Sequence, residues 1–342
     1  MSGDNQFSPI QLGEYAQDSY AEYLLGGNQR GYQGLLQAFE QQTDNPEEAL
    51  IRSKGPFLQG VPSAEQSGTP WPTFADQITG DFAPTGLEQP IVQAFRKSGF
   101  QTLFTHQEEA IESLVNDSHA LISAGTGRGK TEAWFIPLLQ YTLRARRKPD
   151  ELPGANPEGV KAIITYPTKA LAQDQLKRFI QYLWLVNEET DLADDQAITI
   201  GVFDGDTPTH GIRKEGMNTH EYLEKAFKYF EVPDEIAKEV APDRETYEEV
   251  PPRVNVVQEP GTSEYNLTLR EEYGGHKLEF VQLTRDSMRD DPPDILLTNP
   301  DTINYRLFNV NNEKERYLFI DQPKFLVFDE VHTYEGLFGA HV

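Results

Sequence analysis

The chain has no cysteine in its 342 residues, which removes disulfides, thiolate metal sites and thiol nucleophiles at once. It also lacks any apolar run near the roughly 18 residues that span a bilayer, so no membrane partner is expected. No internal period marks a repeat array. The opening MSGDNQFSPI has neither the basic region nor the apolar core of an export signal, and the expected location is cytoplasmic. Absence of a G-x-S-x-G elbow and of an H-E-x-x-H helix excludes the common hydrolase classes built on them. Histidines His106, His119, His210, His220, His276 and His341 are scattered without carboxylate or cysteine partners at ligand spacing, so no zinc site is expected.

Positive charge is scarce as well. Thirty Lys and Arg face fifty-five Asp and Glu, a net charge of −25. Polyanions are held by Lys and Arg, so this balance argues against a nucleic-acid partner unless the acids serve another end. Their spread along the whole chain suits a solvated surface in a salt-rich interior, where screening blunts repulsion. An acidic interaction module that binds no nucleic acid is the competing explanation.

What is present is an α/β pattern. Residues 1–85 read as a helical extension and linker, with Tyr15, Tyr20, Tyr23, Leu24 and Leu25 clustered ahead of the Pro, Gly and Ser-rich GPFLQGVPSAEQSGTPWP. Residues 86–342 alternate short apolar runs with helical patterns, the mark of a mostly parallel sheet. HALISAG, VKAIITYP, AITIGVF, DILLTNP and KFLVFDE are the expected strands, each apolar on both faces. At about 209–290 an acidic α+β subdomain interrupts them, with a helix at EYLEKAFKYF and a hairpin in EYNLTLREEYGGHKLEF turning at Gly274 and Gly275. That insertion is a candidate docking surface for a protein partner.

The chemistry starts at Ala124, Gly125, Thr126, Gly127, Arg128, Gly129, Lys130 and Thr131. The run matches the phosphate-loop spacing G-x-x-x-x-G-K-[ST], with Ala124 in place of the first glycine. Glycines let the backbone wrap phosphates with its N–H groups at a helix N-terminus, where partial positive charge collects. Lys130 would reach the β and γ phosphates of ATP, and the Thr131 hydroxyl would sit on Mg²⁺. Pro137 inside the following helix predicts a kink near Ala133. The basic RARRK, Arg144 to Lys148, ends that helix, and complementing its dipole explains it better than phosphate contact.

KFLVFDEVH places two carboxylates at the tip of a buried strand, where open α/β sheets bind ligands. Alternation along the strand sends them apart, so Asp329 would hold the Mg²⁺ complex while Glu330 would orient and deprotonate the attacking water. His332 would face a neighbouring domain and sense the γ-phosphate.

With these residues in hand the chain resembles superfamily 2 DEAD/DEAH-type helicases. DEVH, Asp329 to His332, looks like their second motif, and the RecA-like P-loop NTPase lobe is the implied fold. LFTHQEEAI puts Gln107 where the family's adenine-reading glutamine sits, with Phe104 packing nearby. YPTKALAQDQL resembles motif Ia, implying nucleic-acid contacts by Pro167, Thr168 and Lys169. DGDTP and TNPD resemble further strand-gripping loops, implying Asp204, Gly205, Thr298, Asn299 and Pro300. The finer resemblance is to RecQ4-like DNA-repair helicases and to the helicase subunits of phage-defence systems such as DISARM, which implies DNA rather than RNA.

In that family ATP lies between two RecA-like lobes, and an arginine finger from the second contributes about 10³ to 10⁵ in rate. This sequence holds one lobe, so weak nucleotide binding and negligible hydrolysis are expected of it alone. Two functions follow: the ATP-binding lobe of a DNA helicase or translocase, or a non-catalytic, nucleotide-gated interaction module acting with a partner chain.

Overall fold

In the computed structural model the described residues are 65–342, except 126, 153–154, 156, 191–196, 210–215, 229, 231–253, 271–274, 309–312, 321–322 and 335–342. The chain divides between Ser63 and Ala64. The helical part of the extension lies outside the described residues, but the boundary expected at residue 85 moves back by about twenty. The reason is apolar content that a linker cannot solvate. Strand β1 (Gln66–Pro70) pairs antiparallel with β2 (Thr102–Phe104), and helix α1 (Trp71–Gln77) starts at once, with proline in its first turn. Trp71 is fully buried, and its indole N–H donates to Val92 O at 3.0 Å, on α2 (Gln89–Lys97). Phe74, Ile78 and Phe82 follow it into the core, each contributing about 1.5–3 kcal/mol relative to exposure.

Helix α3 (Thr105–Val115), the loop to α4 (Lys130–Arg147), β3 (Ala162–Thr165), α5 (Lys169–Glu188) and β4 (Ile200–Val202) come next. The insertion then gives α6 (Thr219–Phe227), β5 (Val254–Gln258) and β6 (Tyr265–Leu269). Last come β7 (Val281–Gln282), α7 (Arg285–Asp290), β8 (Ile295–Thr298), α8 (Pro300–Phe308), α9 (Glu313–Ile320) and β9 (Phe325–Phe328). Five strands form a parallel sheet in the order β7-β4-β8-β3-β9. Alternation splits its side chains: Ile164 and Leu297 join the core that includes Phe135 and Phe179, whereas Ile163 and Leu296 pack with Met288, Leu318 and Phe319. Thr165 is in register with both Thr298 and Phe328. The residues that follow these three strands therefore emerge along one crevice. No helix among the described residues is long and apolar enough to cross a membrane.

Several expectations need correction. HALISAG is not a strand, because a strand exists only where its backbone finds a neighbour. Residues 118–125 run past β9 with a cavity of about 830 Å³ between them, leaving Leu121 87% exposed. For the same reason β9 is an edge strand, apolar but open on one side, with Leu326 and Phe328 exposed. The fifth strand is instead β7, from within the expected insertion, so that subdomain ends near residue 280. Its hairpin is β5 with β6, turning through residues 259–264; Gly274 lies outside the described residues, while Gly275 adopts φ +64°. The limb expected beyond it does run back antiparallel along β6, with Leu269 N donating to His276 O at 2.8 Å, Leu278 N to Leu267 O at 2.7 Å and a bridge between Thr268 and Lys277, although it is too short to count as a strand.

Pro137 does not interrupt α4, which runs as one helix. The basic end of α4 is spent inside the protein: Arg144 pairs with Glu88 and Glu151, and Arg146 with Asp294. Asp294 is fully buried at the start of β8, where it also meets Lys161 Nζ at 3.0 Å and accepts from Thr199 N at 2.9 Å. This knot fixes the end of the sheet opposite the crevice.

Candidate functional site

Gln107, in the first turn of α3, is buried, and both ends of its carboxamide are engaged. Oε1 accepts from Phe104 N and Nε2 donates to Gly129 O, each at 2.9 Å. Beside it, His106 Nε2 donates to Arg128 O at 2.9 Å. The start of α3 thus grips the phosphate-loop backbone just before α4. Phe104 stacks on His106 with ring centroids 5.6 Å apart.

Gly127 and Gly129 take φ of +70° and +68°, left-handed values that L side chains rarely adopt. A Cβ on Gly129 would lie 2.2 Å from Gln107 Nε2, so glycine is required there on two counts. Thr126 lies outside the described residues. Lys130 Nζ turns back to donate to Ala124 O at 2.9 Å. Thr131 stands in the first turn of α4 and is nearly buried.

Across the cavity, Asp329 N donates to Thr165 O at 3.1 Å, extending the ladder one residue beyond β9. Asp329 Oδ1 accepts from Glu330 N at 2.9 Å, and Glu330 has φ +50°. Glu330 thus sits in a left-handed turn that ends the strand, rather than on the strand's own pleat. Burial pushes the Asp329 carboxyl above the usual carboxylate range, against the pull of Lys130 and Arg178. His332 Nδ1 lies 3.2 Å from Glu330 Oε2 and its side chain is exposed. Ala124, Gly125, Lys130, Asp329, Glu330 and His332 all line the one cavity of about 830 Å³.

Sequence reasoning passed over two groups behind this cavity. Glu132, 1% exposed, pairs with Arg178 and accepts from the Tyr182 hydroxyl at 2.9 Å, tying α4 to α5. Tyr166, between β3 and the loop before α5, is fully buried, and its hydroxyl has no hydrogen-bond partner among the described residues. Both are buried polar side chains, and no motif spacing reveals their burial.

A second cavity, about 660 Å³, opens further along the crevice and gathers Pro167, Thr168, Lys169, Gly205 and Asn299. Thr168 caps α5 by accepting from Leu171 N at 3.3 Å, and Lys169 Nζ pairs with Asp206 at 2.5 Å. Three expected contacts do not reach it. Asp204, 5% exposed, folds the DGDTP turn by accepting from Asp206 N and Thr207 N. Thr298, 1% exposed, donates its hydroxyl to Phe203 O at 2.7 Å, and Pro300 is buried at the start of α8. Strand-end polar residues without a route to solvent serve the turn instead. In their place stand Arg285, Tyr305 and Arg306. The spacing of Asp301 and Thr302 to Tyr305 and Arg306 on α8 was the available signal, since residues four apart share a helix face.

The sequence model of DEAD/DEAH box helicases matches residues 104–204, from the β2 tip through Asp204. That stretch, less than a third of the chain, is similar to this family. Beyond that stretch it is similar to the Druantia protein DruE of Escherichia coli, 23% identical over 85% of this chain and 17% of that protein. It is similar to the ATP-dependent helicase hrq1 of Schizosaccharomyces pombe, 23% identical over 75% of this chain and 15% of that one. The probable ATP-dependent RNA helicase ddx56 of Dictyostelium discoideum is 35% identical but over only 29% of this chain and 14% of that one. The chain thus spans less than a fifth of each of these relatives. The matched stretch holds the loop, the α3 grip and one wall of the first cavity; the opposite wall, with Asp329, Glu330 and His332, and the Arg285 and α8 side of the second cavity lie beyond residue 204.

Proposed function

We propose that this chain is the ATP-binding lobe of a DNA helicase or translocase, coupling ATP hydrolysis in the whole protein to movement on nucleic acid. One observation carries the proposal: a glycine loop with its lysine and a strand-tip Asp-Glu pair line one cavity, while helix N-termini of the same crevice line a second. The residues present suit a magnesium-bound triphosphate. Lys130 offers an ammonium, Thr131 a hydroxyl, and Asp329 a half-buried carboxylate whose charge a cation would offset. Bound Mg²⁺ would neutralise developing charge on the phosphates. Glu330, beside the metal carboxylate, would take a proton from attacking water, and the His332 imidazole lies 3.2 Å from that carboxylate.

DNA is the proposed polymer because PTKALAQDQ, DGDTP, TNPD and DEVH together resemble RecQ4-like DNA-repair helicases, whereas ddx56, named as an RNA helicase, aligns with less than a third of the chain. The same motif resemblance is the basis for proposing a place in DNA repair or phage defence. Isothermal titration with Mg-ATP tests the site. The wild-type chain binds, and Lys130→Ala weakens binding by about tenfold or more, the worth of a charge-assisted hydrogen bond. Retained affinity in the variant would sink the assignment.

A further inference from the structure

Phe203 lies fully buried at the end of β4, and two guanidinium groups stand over its ring, Arg285 and Arg306, each 5.4 Å from the centroid. The Arg306 guanidinium is also 5.2 Å from the ring centroid of Tyr305. Phe203, Arg306 and Tyr305 thereby form a series leading from the core to solvent, within the range where cation and ring attract. Tyr305 ends the series 62% exposed, on the wall of the second cavity. The exposed Tyr305 ring is thus braced by a cation that is itself anchored on the buried Phe203 ring.

Its surroundings are those of a polyanion site. In a chain of net charge −25, Lys169, Arg285 and Arg306 meet at this one cavity. Arg285 is fixed there by donating to the backbone carbonyl of Asp204 at 2.6 Å. Cations that track a phosphate backbone beside an exposed aromatic face are the two components of a single-strand site, because every base has a flat face to stack and only an unpaired base offers it.

We infer that Tyr305 is a base-stacking platform for single-stranded nucleic acid, with Arg285 and Arg306 as phosphate contacts beside it. The inference rests on the nucleic-acid function proposed above and names the residue and the strand state that this function uses. Duplex, whose bases are stacked on one another, engages only the cations.

The test is fluorescence anisotropy of the full chain with a labelled oligothymidylate about twenty nucleotides long, with the same strand carrying abasic sites, and with a duplex. Tyr305→Ala weakens oligothymidylate binding by about ten- to a hundredfold, while Tyr305→Phe keeps it. The abasic strand binds the wild-type chain no better than oligothymidylate binds Tyr305→Ala. Melting curves of both variants matching the wild type show that the fold is kept. Equal affinity for the abasic and the normal strand, or an unchanged Tyr305→Ala, overturns the stacking role and leaves nucleic-acid binding standing. A wild-type chain that binds none of the three probes overturns the inference and the function beneath it together.

Discussion

Gln107 holds Gly129 through a 2.9 Å hydrogen bond from its carboxamide to the glycine carbonyl, and the same carboxamide accepts from Phe104 N. One buried side chain thereby fixes both the entry to α3 and the end of the phosphate loop. Gln107→Ala leaves the part-buried Phe104 N unpaired and leaves Gly129 O with Ala133 N alone, a cost of about 1–3 kcal/mol. The expected outcome is a lower melting temperature and Mg-ATP affinity reduced by about tenfold or more, measured by calorimetry. Gln107→Glu keeps the acceptor for Phe104 N but sets a carboxylate against Gly129 O, and should weaken nucleotide binding while restoring part of the stability. If both variants bind nucleotide like the wild type, the grip on the loop has no functional weight.

Asp329 gives a prediction of opposite sign for stability and function. Burial raises its pKa in the folded chain above the unfolded value. Stability linked to this group is full at low pH and is lost as pH rises through the folded pKa, so at neutral pH the ionised carboxylate is a cost. Asp329→Asn should raise the melting temperature at pH 7 and leave it little changed near pH 3. It should also remove magnesium-dependent nucleotide binding, a trade of stability for function common at such sites. A destabilised variant at neutral pH would show that the carboxylate is already compensated within the protein.

The parts of this fold that follow from periodicity were legible in the sequence: four of the five expected strands, the helix after the loop, and the strand-tip position of Asp329. What failed depended on neighbours. HALISAG has a strand's composition, but no local feature says whether a partner lies close enough to pair with it. Val281–Gln282 is too short to show alternation and joins the sheet only because β4 needs an edge neighbour. The same holds at the second cavity. Asp204 and Thr298 were expected at the surface from their place in turn motifs, yet their side chains are consumed by the turns. Tyr305 and Arg306 sit in no motif and come to the cavity through the pitch of α8.

Alkaline pH should unfold the chain through its buried tyrosines. Burial is the main cause raising the pKa of Tyr141, Tyr166, Tyr182 and Tyr334 above the ordinary 10.0, with Asp117, Asp329 or Glu132 adding to it. Above pH 10 the unfolded chain loses these protons and the folded chain keeps them, so their contribution is present below pH 10 and falls as pH rises. Lys161 acts the other way. Burial lowers its pKa, so the unfolded chain holds the extra proton and stability gains as pH rises towards 10.5. Four groups outweigh one, and urea midpoints should drop between pH 9 and pH 11. Tyr182→Phe should flatten that drop while losing about 0.5–1.5 kcal/mol at pH 8 from the hydrogen bond to Glu132. A midpoint independent of pH over this range would contradict the burial of these hydroxyls.

Lys169 and Asp206 form the most informative surface pair, 2.5 Å apart at the mouth of the second cavity with both side chains about half exposed. An exposed pair of this kind adds little to stability, about 0–1 kcal/mol, so its removal should leave the melting temperature nearly unchanged. Its effect on a polyanion is larger. While Asp206 neutralises Lys169, a phosphate at the α5 N-terminus meets less positive charge than the lysine alone would present. Asp206→Asn should therefore tighten oligonucleotide binding several-fold, and the slope of log affinity against log salt should steepen by about 0.7 to 0.9, the value for one more phosphate neutralised. Lys169→Ala should reverse both changes in the Asp206→Asn background. If Asp206→Asn weakens binding instead, the aspartate positions the lysine rather than masking it, and the pair belongs to the binding surface as a unit.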